Sequence, residues 1–219
     1  MGTNKLSVII PVYDLSKDRI YPFFRLITSI SSQTYSDYEV ILANECEGKI
    51  YNKSMAINNA VRKTNYNNLL VLDADVCFES DYFKKVIKYA LNKKIFIAFK
   101  KCRLLKGRDN VDERVAENCT LRALALAWYC DKDFFYEFGG MNEKYEGYGN
   151  EDVDAYLRAE HLNGSIGEID YNIIHNYHHW HPVESCYPLN DRRKELLFET
   201  KNDITKEIER CQANNKKTK

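Results

Sequence analysis

No stretch of this chain approaches the roughly 18 consecutive apolar residues that cross a bilayer. The apolar run nearest the N-terminus, Leu6 to Val12, is short and is stopped by Pro11, and Met1 to Lys5 ahead of it is polar. These features predict neither a signal peptide nor an integral membrane segment, and so a cytoplasmic protein, with peripheral membrane contact left open. An excess of charge is also lacking, since 32 basic residues face 32 acidic ones. That balance argues against a general nucleic-acid surface. The seven cysteines contain no C-x-x-C and no paired short spacing, which excludes a zinc knuckle and reads as reduced intracellular thiols. Neither G-x-G-x-x-G nor G-x-x-x-x-G-K-[ST] occurs, which counts against dinucleotide-binding and P-loop enzymes. Internal repeats and composition breaks are absent too. The 219 residues suffice for one large or two small domains whose core needs no disulfide or metal.

What is present starts with Leu70-Val71-Leu72-Asp73-Ala74-Asp75-Val76. An apolar run of this kind reads as a buried strand, and it ends in two carboxylates one residue apart. Side chains on a strand repeat every two residues, so Asp73 and Asp75 leave the sheet on the same side. Two such anions repel unless solvent separates them or a cation lies between them. They read either as a solvated loop pair or as oxygen ligands for a hard divalent metal that carries a phosphate.

The surrounding pattern alternates strand and helix. Strands are expected at 6–10, 38–43, 69–72 and 95–99, and helices at 20–32, 52–62 and 81–91. A β-α-β-α-β-α-β order predicts a mostly parallel sheet covered on both faces, with ligands at the carboxyl ends of its strands. Residues 100–120 read as a charged surface excursion, and 121–129 fits strand or helix equally. A short helix is expected at 131–138, a further helix from Asn150 to Glu160, a strand at 166–174, and one long charged helix from Leu189 to Cys211, with 213–219 frayed.

Two later clusters carry chemistry. Gly147-Tyr148-Gly149-Asn150-Glu151-Asp152-Val153-Asp154 opens a helix, where Asn150 can cap and the carboxylates suit the N-terminal amides. Capping alone explains an acidic first turn; the alternative is that one carboxylate takes a proton from an attacking hydroxyl. Asp152, with the shorter arm, is the better-fixed base, and Glu151 is suited to holding a substrate hydroxyl. All but one of the five histidines lie in His175-Asn176-Tyr177-His178-His179-Trp180-His181-Pro182. Neutral imidazole makes this a metal-ligand cluster. An independent zinc site on 175, 178 and 181 requires helical geometry that Trp180 and Pro182 disfavour. Trp128 and Trp180 read either as packed residues or as platforms for a sugar ring.

Together these pieces resemble the GT-A-fold glycosyltransferases, specifically the inverting family 2, from about residue 6 to 182. The segments are Ser7–Tyr13, Ser29–Tyr35, Tyr38–Leu42, Asn52–Ala60, Asp73-Ala74-Asp75, Phe138–Glu143 and Gly149–Asp154. The last is also similar to galactosyl- and N-acetylgalactosaminyltransferase catalytic domains. The resemblance implies an α/β fold with a mostly parallel central sheet flanked by helices. It makes 1–188 the catalytic domain and 189–219 a C-terminal helical extension with a basic tail.

By the same resemblance, Pro11, Val12 and Tyr13 lie beside the nucleotide base and ribose. Lys53, Asn58, Asp73, Ala74, Asp75, Gly140 and Met141 complete the donor site, with Gly139 to Met141 as its floor. Asp75 binds Mn²⁺ or Mg²⁺, joined by His178 as first choice and His181 as second, while Asp73 reaches the ribose or a metal-bound water, or serves as a further ligand. Mn²⁺ suits a mixed carboxylate and imidazole set better. Asp152 is the base. The segment after the second strand departs from the family pattern, so Asn44 or Glu45 takes over reading of the base. The implied activity is transfer of a hexose or N-acetylhexosamine from a UDP-sugar to a hydroxyl of a glycan or glycoconjugate, with inversion. A nucleotidyltransferase or pyrophosphorylase is the alternative, although Pro11-Val12-Tyr13-Asp14 lacks the basic glycine-rich loop it needs. A non-catalytic sugar-nucleotide or glycan-binding module is the other.

Overall fold

The computed structural model describes residues 4–13, 15, 19–44, 51–90, 96–98, 102–105, 117–119, 127–147, 149–163, 176–179 and 192–217. Strand β1 (Leu6–Pro11), helix α1 (Ile20–Ser31), β2 (Tyr38–Ala43), α2 (Lys53–Lys63) and β3 (Asn68–Leu72) follow the expected alternation. After them come β4 (Val76–Phe78), α3 (Tyr82–Ala90), β5 (Phe96–Ala98), β6 (Cys102–Leu105), β7 (Glu117–Cys119), β8 (Ala127–Asp131) and α4 (Lys132–Glu137). The chain continues with α5 (Glu151–Asn163), β9 (Asn176–His179), α6 (Arg193–Asn202) and α7 (Ile204–Lys217).

The central sheet has the order β2-β1-β3-β8-β5. β1 pairs in parallel with β2 and β3, β8 is antiparallel to β3, and β5 is antiparallel to β8. Four of its strands therefore run one way and β8 runs against them. This is the expected α/β architecture with a mostly parallel sheet. β1 and β3 are buried on both faces, and their period of two sorts the core into halves. Leu6, Val8, Ile10, Leu70 and Leu72 pack with Leu26 and Ile30 of α1 and with Phe83 and Val86 of α3. Ile9, Leu69 and Val71 pack with Ala56, Ile57, Ala60 and Val61 of α2, and with Trp128 and the phenylalanines of α4. Trp128 stacks on Phe135 at 6.2 Å and is 1% exposed, so it is a core residue rather than a sugar platform.

Other differences from the sequence reading have physical reasons. The ambiguous stretch before 131 contains strand β8, whose Trp128, Tyr129 and Cys130 favour a pleated, buried surface. A second sheet, of order β4-β9-β6-β7, lies partly within the supposed surface excursion. β9 occupies part of the histidine cluster, so the backbone there is extended and not the helix that a 175/178/181 site requires. The strand expected at 166–174 lies outside the described residues. The single C-terminal helix is two. Asp203 ends α6 and starts α7, its carboxylate accepting from the Lys206 N–H at 3.1 Å. α7 then runs to Lys217 instead of fraying at 213, because Asn215 is buried and donates to the Gly139 carbonyl at 2.7 Å.

One buried ion pair ties these parts together. Arg158 and Asp154, one turn apart on α5, are both 0% exposed and meet at 2.7 and 2.9 Å. Arg158 also donates to the carbonyls of Phe138 and Gly140 at 2.6 and 2.7 Å, fixing the turn after α4. Thr200 of α6 donates to the other oxygen of Asp154. Asn142 donates to that same oxygen at 3.4 Å and to Glu207 of α7 at 2.9 Å. Gly140 has φ +66°, and a Cβ there would come within 2.8–3.0 Å of Asn215, Phe135 and Asn58, so glycine is required. Replacing Arg158 with Met strands a carboxylate where no water reaches it. We expect this to cost about 3–5 kcal/mol in urea unfolding. A loss below about 1 kcal/mol would show that the pair is not structural.

Candidate active site at the carboxyl edge of the sheet

β1 and β3 deliver their carboxyl ends side by side. Pro11 is buried, Val12 is half-buried with its N–H bonded to the Ala43 carbonyl at 3.1 Å, and Tyr13 is exposed. Tyr13 lies 5.1 Å from the ring of Tyr51, whose hydroxyl also reaches the Ala43 carbonyl at 3.1 Å. Tyr51 was not a sequence candidate. It immediately precedes Asn52, the cap of α2, and nothing local in the sequence marks its contact with Tyr13 and Ala43. Asn44 is exposed at the end of β2, while Glu45 lies outside the described residues.

Asp73 and Asp75 sit on the turn between β3 and β4, closed by a bond from the Val76 N–H to the Asp73 carbonyl at 3.3 Å. Ala74 between them packs on the core. Each carboxylate faces a cation. Lys53 Nζ is 2.7 Å from Asp73 Oδ1, and Arg19 Nη1 is 3.5 Å from Asp75 Oδ2. Lys53 stands in the first turn of α2, where the helix dipole disfavours a positive charge. Its place is explained by the anions it meets, because the same ammonium is 3.5 Å from Glu151 Oε1. Lys53 therefore joins the Asp73-Asp75 pair to the Glu151-Asp152 pair. Arg19 escaped the sequence reading, since an arginine just before a helix carries no signal of its reach.

Helix α2 also positions the loop that leads to α5. Its cap residue, Asn52, accepts from the Met55 N–H and donates to the Glu143 carbonyl at 2.8 Å. Asn58, 2% exposed, exchanges two 2.9 Å hydrogen bonds with the backbone of Met141. Met141 is itself packed in the core beside Gly140. Asn58 thus holds the glycine turn. Asn150 has φ +68°, a conformation asparagine tolerates, and its side chain donates to the Arg193 carbonyl at 3.3 Å. The α5 first turn follows at once. Glu151 is 2% exposed, with Oε2 accepting from the Gly149 N–H at 3.1 Å.

Asp152 is half-buried next to it. Its carboxyl is pushed up to about 7 by burial and then by the charge of Glu151, with Asp73 adding and Lys53 opposing. The acidity of Asp73 is weakened too, by burial first, against the pull of Lys53 and with repulsion from Asp75 and Glu151. Four carboxylates and two cations thus share one site, and one of its carboxyls, that of Asp152, is pushed up to about 7. No group of three or more metal-ligating side chains occurs among the described residues. The register of β4 with β9 places position 178 opposite Val76, one residue beyond Asp75. His181 lies outside the described residues.

A family model described as the N-terminal domain of galactosyltransferase matches residues 125–182. Beta-1,4-galactosyltransferase 4 of Homo sapiens is 22% identical over 161 residues, which are 72% of this chain and 43% of the human protein. The chain thus spans less than half the length of that relative. Among solved structures, Drosophila beta-1,4-galactosyltransferase 7, a mutant in complex with manganese, UDP-Gal and xylobiose, superposes with a TM-score of 0.62 and 13% identity. That match covers 89% of this chain and 79% of the other. GalNAc-T7 with UDP, GalNAc and Mn²⁺ gives a TM-score of 0.62 at 12% identity, over 82% of this chain and 44% of that one. No helix among the described residues is long and apolar enough to cross a membrane. The chain therefore has the GT-A fold, with similarity to galactosyl- and N-acetylgalactosaminyltransferase catalytic domains.

Proposed function

We propose that the chain is a glycosyltransferase that moves a hexose or N-acetylhexosamine from a UDP-sugar to a hydroxyl of a glycan or glycoconjugate, with inversion. The observation that carries this is Lys53, which joins the carboxylates after β3 to the acidic first turn of α5. The donor and acceptor ends of the reaction need such a juxtaposition. The manganese named for both structural relatives, with UDP-Gal for one and UDP and GalNAc for the other, supports the choice of donor.

The donor set fits a divalent cation. Asp75 offers a buried carboxylate, Asp73 a half-buried one, and β9 runs beside them. Asp75 and His178 would hold Mn²⁺ or Mg²⁺, with Asp73 and His181 as further ligands. When bound, the ion supplies Lewis-acid stabilisation of the leaving diphosphate. The chain does the rest. Tyr13, 48% exposed and backed by the buried ring of Tyr51, offers aromatic surface to the base, with Asn44 at the edge. Lys53 adds positive charge near the phosphates. Asp152 takes the proton from the acceptor hydroxyl as that oxygen attacks the anomeric carbon from the face opposite the leaving group. Glu151, held by Lys53 and the Gly149 amide, keeps the first turn of α5 in place and is available to a substrate hydroxyl.

Four outcomes are expected. Asp152→Asn lowers turnover by about 10²- to 10⁴-fold with donor affinity nearly unchanged. Survival of turnover in that variant, with Glu151→Gln dead, would reverse the assignment. Because Asp152 acts as the carboxylate and its carboxyl titrates at about 7, kcat/KM rises with pH through an acid limb near that value. Lys53→Met moves the limb upward, since Lys53 favours the charged form. Calorimetry should show UDP binding with Mn²⁺ far tighter than binding in chelator; equal affinities would remove the cation from the site. NMR of the product linkage, after a donor-by-acceptor screen read by mass spectrometry, tests inversion directly.

A further inference from the structure

We propose that Arg19 makes uptake of the divalent cation conditional on the donor diphosphate, so that metal and nucleotide sugar bind as one unit. The proposal rests on the reading of Asp75 as a cation ligand. Arg19 is the residue just before α1, and its carbonyl already accepts from the Phe23 N–H at 3.1 Å, so its backbone is held by the helix. Its side chain crosses to the turn after β3 and brings Nη1 to 3.5 Å from Asp75 Oδ2. That carboxylate is 5% exposed.

A guanidinium does not step aside by losing its proton at any working pH. A dication and Arg19 therefore compete for the same carboxylate, at like charge. The contest changes when a diphosphate arrives. Phosphate oxygens are strong partners for arginine, and bidentate pairing suits its planar fork. The Arg19 side chain is 18% exposed, so it is open to the solvent side of the site and has a way to leave Asp75. The neighbouring cation is less able to make this exchange. Lys53 is held between Asp73 and Glu151 and is 10% exposed. A residue that gives up a carboxylate to take a phosphate links the two ligands thermodynamically, so each strengthens the other by one common factor.

The test measures that factor directly. Mn²⁺ affinity of the full chain is determined by electron paramagnetic resonance and calorimetry, alone and with saturating UDP. In the wild type, UDP strengthens Mn²⁺ binding. Arg19→Gln should bind Mn²⁺ alone about tenfold tighter, and the strengthening by UDP should shrink about tenfold or more. Arg19→Met, which keeps the apolar stem, should behave alike and serves if the glutamine variant does not fold. Arg19→Lys, which keeps the charge, should retain much of the linkage. If folded Arg19→Gln or Arg19→Met matches the wild type in both Mn²⁺ affinities, the proposal is overturned while the metal site stands. If the wild type takes up no Mn²⁺ even with UDP, the reading of Asp75 fails and the proposal fails with it.

Discussion

Arg158 carries a full charge in a place that water does not reach, and much of the later half of the chain is arranged to answer it. A buried guanidinium is tolerated only when its donors are satisfied and a counter-charge is close. Asp154 supplies the charge, and the carbonyls of Phe138 and Gly140 supply acceptors. The consequence is geometric. The glycine turn after α4 and the first turns of α5 are bound to one another, and the loop from Met141 to Asn150 has its two ends fixed. Asp152 stands two residues before Asp154. Its direction is set by a pair that touches no substrate.

The C-terminal helices belong to the same construction. Thr200 of α6, together with Glu207, Arg210 and Asn215 of α7, closes the remaining polar groups around Asp154, Asn142 and Gly139. Cys211 passes so close to Gly139 that any side chain there would meet it at 2.6 Å. The α2 side holds the loop from the other direction, through Asn52 and Asn58. Long-range contacts of this sort demand nearly exact placement. Glycine at 139 and 140 and asparagine at 58 and 142 are the residues whose size and hydrogen-bonding capacity allow it.

Much of the fold was legible in sequence because its first half is local. Leu6 to Ile10 and Leu69 to Leu72 are short apolar runs bounded by polar turns, and α1 and α2 have a clear helical period. The acidic pair was legible for the same reason, since it ends a strand whose direction the pattern fixes. The partners of the carboxylates were not. Arg19 and Lys53 lie 56 and 20 residues before Asp75 and Asp73, and only the sheet closes those distances. Arg158 looked like any charged residue of a helix, for nothing local says that its turn faces inward. The break at Asp203 was missed because α6 and α7 are both charged and helical, so a single asparagine-aspartate junction is a weak stop signal.

The site therefore divides by origin. Its donor side is built on β1, β3 and the first turn of α2, elements that pair in parallel and fold as one α/β unit. The carboxylates proposed for catalysis come from α5, which is held by polar contacts to helices that follow it. Lys53 is the one described residue that touches both sides, at 2.7 Å to Asp73 and 3.5 Å to Glu151. A like-charged crowd of Asp73, Asp75, Glu151 and Asp152 pushes against assembly, and the lysine and arginine offset part of that repulsion. Asp73 and Asp152 are both weakened as acids, by burial first, with repulsion from the neighbouring carboxylates added. Burial of the α5 first turn where the two halves meet, with the charge of Glu151 added, thus pushes the Asp152 carboxyl up to about 7, the range that suits a general base.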